Sequence, residues 1–388
     1  MLMNEVWPSL FAPYRVEKYT AFLLNESDEI VGELGTISGG TFTTSTDARI
    51  KSSASIEIMT KEPILQWAGV RVKLYAHVND LSWPLGVFIP SSPTQKHTAT
   101  GVVTSVELLD KLTILDHDLI DASLSVPAGT DLIGFITEMI ENAGEQHVRI
   151  DKETHVNKKP YTWDAGTPKL TVINDILDSA GYFSLSADPD GYLATQPYLV
   201  PKERPIAWEI SQGELSMFSP EFTHTWDLDG IPNKIVYIAQ STGYVTLNAA
   251  SSSDPNHTVE VKVEGKTTAP PMVAVATNED PDSPFSYQAR GRWIVETSND
   301  VKAENQDILN KKAQRRLDNA LDPMESVELR HAVIPARLNQ LAHFRTRDYD
   351  FVASVRKMQI SFTPGELMTL KLRKVNYADL EPSGANAE

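Results

Sequence analysis

Between Tyr14 and Leu115, apolar side chains return at every second position in short runs. Ile56 and Ile58 share one face of the run Ala54 to Met59, and Val70, Val72 and Leu74 share one face of Val70 to Tyr75. A period of two is that of a half-buried strand, because successive side chains of an extended chain point to opposite sides. Arg15 to Leu24, Leu85 to Ile89 and Thr100 to Leu109 read the same way, and Asn25 to Asp28 supplies turn chemistry between runs. Short strands separated by turns predict a small antiparallel barrel or sandwich over residues 1–115.

The period changes near Asp116. Leu132, Ile133, Ile136, Met139, Ile140 and Ala143 recur at helical spacing. Thr130 is the expected acceptor for the free amides of that helix's first turn, and Gly144 the expected left-handed residue at its end. A second helix has Thr167 as N-cap, Pro168 at the first helical position, a stripe of Leu170, Ile173, Ile176, Leu177 and Ala180, and Gly181 as its stop. A hairpin follows, Tyr182 to Ala187 and Tyr192 to Gln196, with its tip at Asp188-Pro-Asp-Gly191. Residues 116–204 therefore read as an α+β lobe.

Strands resume at Ala207 to Ile210 and Lys234 to Ala239. Residues 249–284 are rich in Ser, Asp, Pro and Thr and hold one alternating run, Thr258 to Glu264. A stretch of that length reads as a loop-bearing insertion. A third helix is expected from Val301 to Leu321, capped by Asn299 or Asp300, with Ile308, Leu309, Ala313, Leu317 and Ala320 inward. Ser326 to Arg330, Tyr349 to Ser354, Lys357 to Phe362 and Met368 to Arg373 close the chain as strands. From Asp379 the residues are small and polar, and 376–388 reads as a disordered tail.

Composition narrows the function. A length of 388 residues suits two to three domains, and no run is long and apolar enough to span a bilayer. The opening residues do not read as a secretory signal. With no cysteine there are no disulfides, thiolate metal sites or cysteine nucleophiles, and assembly in a reducing cytoplasm is the natural expectation. A net charge of −17 argues against wrapping nucleic acid. The charge is uneven, since residues 301–375 carry 14 Lys and Arg against 9 Asp and Glu. Such asymmetry suits complementary subunit surfaces or a solvated basic face.

Candidate chemistry is thin. Asp227-Leu-Asp-Gly230 resembles a calcium loop but lacks the later ligands, and reads as a turn. Asp116-His-Asp118 would orient a general base, yet reads better as a surface or capping feature. The nine histidines pair at no familiar metal spacing, and GxSxG, Walker A and Rossmann fingerprints are absent. Asn256-His-Thr258 matches a glycosylation sequon, irrelevant to a chain that never enters a secretory pathway. Trp83, Trp163, Trp208, Trp226 and Trp293 are expected as core or interface anchors rather than sugar platforms. No catalytic, cofactor or metal residue is assigned, and the chain reads as a non-enzyme.

The order of these elements resembles the bacteriophage tail hub family, the baseplate hub and tail-tip proteins of long-tailed phages. The carrying residues are Trp83-Pro-Leu-Gly-Val-Phe-Ile-Pro90 followed by Val103 to Leu112, then Ile176 to Phe183 with the Asp188–Gly191 hairpin. The helix Gln306 to Leu321 and Arg330-His-Ala-Val-Ile-Pro335 complete the set. The likeness spans residues 14–375. It implies a mainly β fold with two tube-like antiparallel β-barrels and two smaller α/β lobes. The first barrel would be 1–115, the lobe 116–204, the second barrel 205–240 with 325–375, and the inserted lobe 241–324. It also implies a homotrimeric ring in the virion's tail tip, pseudo-sixfold through its two barrels. That ring joins the tail tube or distal tail proteins, the tape measure protein and other tip proteins, and DNA passes through its channel during ejection. Acidic side chains on barrel strands are expected to line that channel. Two other readings compete: a virion-associated cell-wall hydrolase, and a carbohydrate-binding host-recognition protein whose contact lies in residues 241–300.

Overall fold

In the computed structural model, the alternating runs of the N-terminal region form strands whose apolar faces meet in one core. The structure describes residues 8–375 apart from 13, 65, 152–154, 159, 214–215, 227–230, 240–241, 251–259, 269–270, 282, 300, 302, 304–305 and 322–324. The expected tail, the Asp227–Gly230 turn and the Asn256 sequon lie outside the described residues. Among the described residues strands form 47% and helices 16%, so the mainly β class with small α/β parts is what is observed. The chain divides into two compact units, Met1–Trp226 with Pro323–Glu388, and Asp227–Asp322.

The first unit begins with β1 (Glu17–Leu24), β2 (Ile30–Ser45), β3 (Ser52–Thr60), β4 (Arg71–Val78), β5 (Leu81–Pro90), β6 (Thr94–Thr98) and β7 (Gly101–Asp110). Antiparallel pairing runs β1–β4–β5–β7–β3–β2 and returns to β1, which closes a ring; β6 adds to β7. The period of two sets the faces. Ala54, Ile56 and Ile58 of β3 are buried while Glu57 is exposed, and Val106 and Leu108 of β7 are buried while Ser105 and Glu107 are exposed. Gly40 has φ +118°, and a Cβ there would stand 2.0 Å from the Ser55 carbonyl oxygen. Glycine alone lets β2 run this close to β3.

The lobe follows as α1 (Leu112–His117), β8 (Leu124–Val126), α2 (Leu132–Asn142), β9 (Val148–Ile150), β10 (Tyr161–Trp163), α3 (Lys169–Ala180), β11 (Ser186–Ala187) and β12 (Leu193–Thr195). The apolar stripes of α2 and α3 meet in a core separate from that of the ring, with Ile136, Ile140, Leu170 and Ile173 wholly buried. Gly181 takes the left-handed position after α3, as expected. The N-terminal caps differ from expectation. Thr130 donates its hydroxyl to the Pro127 carbonyl, and Thr167 donates to that of Asp164. Each side chain satisfies its own preceding turn, and the cap positions fall one residue later, at Asp131 and Pro168.

β13 (Ile206–Ser211) and β14 (Phe218–Trp226) lead to the second unit. There β15 (Lys234–Ala239), β16 (Thr242–Ala250), β17 (Glu260–Thr268), β18 (Met272–Thr277), α4 (Tyr287–Arg290), β19 (Val295–Ser298) and α5 (Gln306–Leu321) form a small α/β body. β15, expected in the second barrel, instead pairs with β18 and β19. The reason lies in its inner face, where Ile235 and Ala239 pack with Leu309, Ala313 and Leu317 of α5. β17 overlaps the expected run Thr258 to Glu264 and pairs antiparallel with β16, which lies mostly ahead of the expected insertion.

The chain returns to the first unit as β20 (Glu325–His331), β21 (Leu341–Arg345), β22 (Asp350–Ser361) and β23 (Met368–Lys374). Lys357 to Ser361 of β22 pair with Thr41 to Ser45 of β2, so both halves belong to one 13-stranded sheet. One hydrophobic core runs beneath it, with the rings of Tyr19 and Phe362 centred 5.1 Å apart. Each fully buried aromatic or aliphatic side chain there contributes roughly 1.5–3 kcal/mol. The second half is an open curl: among the described residues β13 pairs with β21 and β14 with β20, but not with each other.

Candidate functional site

At the end of β7 the chain turns sharply into α1, and two charged side chains are buried at the turn. Asp110 accepts hydrogen bonds from the amides of Ser52 at 2.7 Å and Leu112 at 2.9 Å, which fixes the turn. Burial pushes its carboxyl up to about 6, against the pull of those two amides. Lys111 is left with no exposure at all, its side chain in the seam between ring and lobe.

The Lys111 ammonium has three oxygens close around it there. They are Asp28 Oδ2 at 2.7 Å, Glu145 Oε2 at 2.8 Å and the Gly191 carbonyl at 2.7 Å. The contacts with Asp28 and Gly191 are hydrogen bonds, whereas that with Glu145 Oε2 is an ion pair without hydrogen-bond geometry. Arg71 spans the same carboxylates, 2.7 Å from Asp28 Oδ1 and 3.1 Å from Glu145 Oε2. His147 Nδ1 lies 3.3 Å from Asp28 and 3.4 Å from Glu145, and its backbone amide donates to Glu145. Asp28 itself sits at φ 58° in a turn whose amides, from Ser27 and Glu29, donate to the Asn25 side chain. Burial raises the Asp28 carboxyl, but Lys111 and Arg71 outweigh it and hold the group below the usual carboxylate range.

Asp28, Glu145 and His147 bring potential metal-ligand atoms within 4.8 Å of one another. Two carboxylates already face two cations, Lys111 and Arg71. The arrangement is charge-balanced, and its chemistry is that of a structural ion cluster. Sequence reasoning did not find it, because its members come from distant segments. One signal was legible: the charged pair Asp110-Lys111 interrupts the mostly apolar stretch Leu108 to Leu115.

The other singled-out residues fall as follows. Asp116 pairs with Arg49 and Asp118 with Lys169, while His117 between them is exposed, so no general base is assembled. Trp83, Trp163 and Trp208 are buried, as expected of core anchors, whereas Trp226 and Trp293 are exposed. Trp293 stacks with Tyr287, ring centres 4.5 Å apart, and Lys234 lies over its face. Beside them Val273, Val275 and Val295 leave an apolar sheet face open in the second unit. The exposed face of the large sheet carries mixed charge, with Glu57, Glu107 and Glu328 alongside Arg330, Lys357 and Lys371.

No family model and no curated protein matches the sequence. Solved structures do match. A tail protein from Neisseria meningitidis superposes with a TM-score of 0.63 at 12% identity, covering 92% of this chain and 96% of that one. This chain has the fold of tail proteins. The 43 kDa tail protein of prophage MuSo2 from Shewanella oneidensis agrees, with a TM-score of 0.62, 12% identity and coverage of 93% and 100%. A prophage tail protein from Listeria monocytogenes gives 0.52 at 12% identity, over 91% and 94%. The tail-protein resemblance read from the sequence is thus borne out in the fold, from the ring to the closing strands.

Proposed function

We propose that the chain is a structural protein of a phage tail, a hub at the tail tip or baseplate, and that it works without catalysis. The observation that carries this reading is the match over nearly the full length of two tail proteins. The closed ring and the open curl serve as the two tube-like halves of one subunit. Three subunits then form a ring of pseudo-sixfold symmetry that mates with a hexameric tube. The tail tube or distal tail proteins, the tape measure protein and other tip proteins are its neighbours, and DNA crosses its channel during ejection. Acidic side chains such as Glu57 and Glu107 line that channel, since like charge keeps a polyanion from adhering.

Light scattering of the purified chain over a concentration range tests the ring. A species of three times 43.0 kDa is expected, at least at the higher concentrations. Antibody labelling of purified phage particles tests the location: decoration confined to the tail tip is the expected result, and label on the head or along the shaft overturns the reading. Imaging of the trimer tests the channel wall, which a predominantly basic lining would contradict.

A further inference from the structure

We infer that the buried ion cluster of Asp28, Arg71, Lys111 and Glu145 fixes the orientation of the α+β lobe on the strand ring. Ring and lobe each have their own hydrophobic core. Apolar contact alone holds two such bodies together but tolerates sliding, because it has little directional preference. Buried charges set at ion-pair distance, with a hydrogen bond across the seam, are more restrictive.

Each cation of the cluster lies within ion-pair distance of one carboxylate from either side of the seam, and hydrogen-bonds the Asp28 one. Lys111 and Arg71, both carried by ring strands or their ends, reach Asp28 of the ring and Glu145 of the lobe. Lys111 also donates a hydrogen bond across the seam to the carbonyl of Gly191, at the tip of the lobe's hairpin. That tip seats against β5, and a Cβ on Gly191 would stand 2.7 Å from Val87 Cγ2. Rotation of the lobe breaks several of these bonds at once, and the freed charges lie where water is scarce: Lys111 is 0% exposed and Glu145 1%. Buried ion clusters add little net stability over apolar packing, whereas loss of one partner leaves an uncompensated charge. Geometry is what such a cluster supplies. Pairs at the edge of the seam, Lys73 with Asp190 and Arg49 with Asp116, are more exposed and adjust more freely.

The chain has no cysteine, so two introduced cysteines take spin labels without competition. Glu141→Cys on the exposed side of α2 and Ser105→Cys on the exposed side of β7 report the distance between lobe and ring. In the full chain with the cluster intact, one narrow distance distribution is expected. Lys111→Met and, separately, Glu145→Leu should each broaden it about twofold or more, as a single well gives way to several. Helix content and the fluorescence of Trp163 in the lobe core should stay unchanged, which separates a loosened lobe from an unfolded one. Lys73→Ala should leave the width as it was. A narrow distribution in both cluster variants overturns the inference. Should either fail to fold, Glu145→Gln keeps the shape and removes the charge, and an unchanged width in that variant overturns it equally.

Discussion

The ammonium of Lys111 lies 2.7 Å from the carboxylate of Asp28 although 83 residues separate the two in the chain. Asp28 sits in the turn between β1 and β2, and Lys111 marks the exit from the ring into the lobe. Their pairing joins the start of the ring to its end at the point where the next body attaches.

Buried and surface ion pairs in this protein should differ sharply in worth. Arg71→Met leaves Asp28 and Glu145 sharing one cation in a dry site and should cost about 3–5 kcal/mol. Arg356→Ala removes a pair with an Asp47 that is mostly exposed, and should cost under about 1 kcal/mol. Urea unfolding of both variants checks the ratio; equal midpoints would contradict the burial argument.

Gly40→Ala should destabilise strongly. The positive φ alone costs an L-residue roughly 1–2 kcal/mol. The overlap with the Ser55 carbonyl adds to this unless β2 and β3 separate. Gly129, whose added Cβ meets nothing within 4 Å, is the control, and Gly129→Ala should cost only the backbone term. Thermal melting of the two variants makes the comparison.

Two buried groups should give opposite pH dependences over one range. Burial raises Asp110 from 3.8 to about 6, so its contribution to stability is present below the unfolded value and lost as pH rises through about 6. Burial lowers His331 from 6.5 to about 4, against its hydrogen bond to the Ala332 carbonyl. Its contribution is present above 6.5 and lost as pH falls toward 4. Relative to wild type, Asp110→Asn should gain up to about 3 kcal/mol between the two ends of the rise, and His331→Gln a similar amount in the other direction. Denaturant titrations at several pH values measure both, and slopes of the same sign would refute the assignment.

The hydrolase alternative predicts release of soluble fragments from purified peptidoglycan. None is expected here, as Asp116 and Asp118 are each held by a cation and flank an exposed histidine. Sustained turnover at low protein concentration would overturn the structural reading.

Local pattern made much of this architecture legible. Alternation placed β1, β3, β4, β5 and β7 of the ring, because one of its faces is buried and the other wet, but β2, rich in Gly and Thr, gave no such run. The stripes of α2 and α3 were equally plain, and Gly181 marked a helix end through its backbone freedom. The caps were less legible, since a threonine beside a helix start can satisfy either the helix or the turn before it, and here both chose the turn. The partners of β15 were not legible either. Its alternation is the same whether its neighbours belong to the large sheet or to β18 and β19, and only the apolar stripe of α5 decides between them. The ion cluster was the hardest to see, because its geometry exists only after the turn at Asn25, the end of β7 and the segment after α2 have come together.

The open curl of the second half leaves β13 and β14 each with a row of backbone amides and carbonyls unmatched among the described strands. Such a border invites another chain to add a strand. Pro220, which has no amide proton, interrupts β14 and spoils it as a template over part of its length. The chain therefore carries an adhesive margin, and its handling at high concentration will turn on how readily that margin meets a second copy.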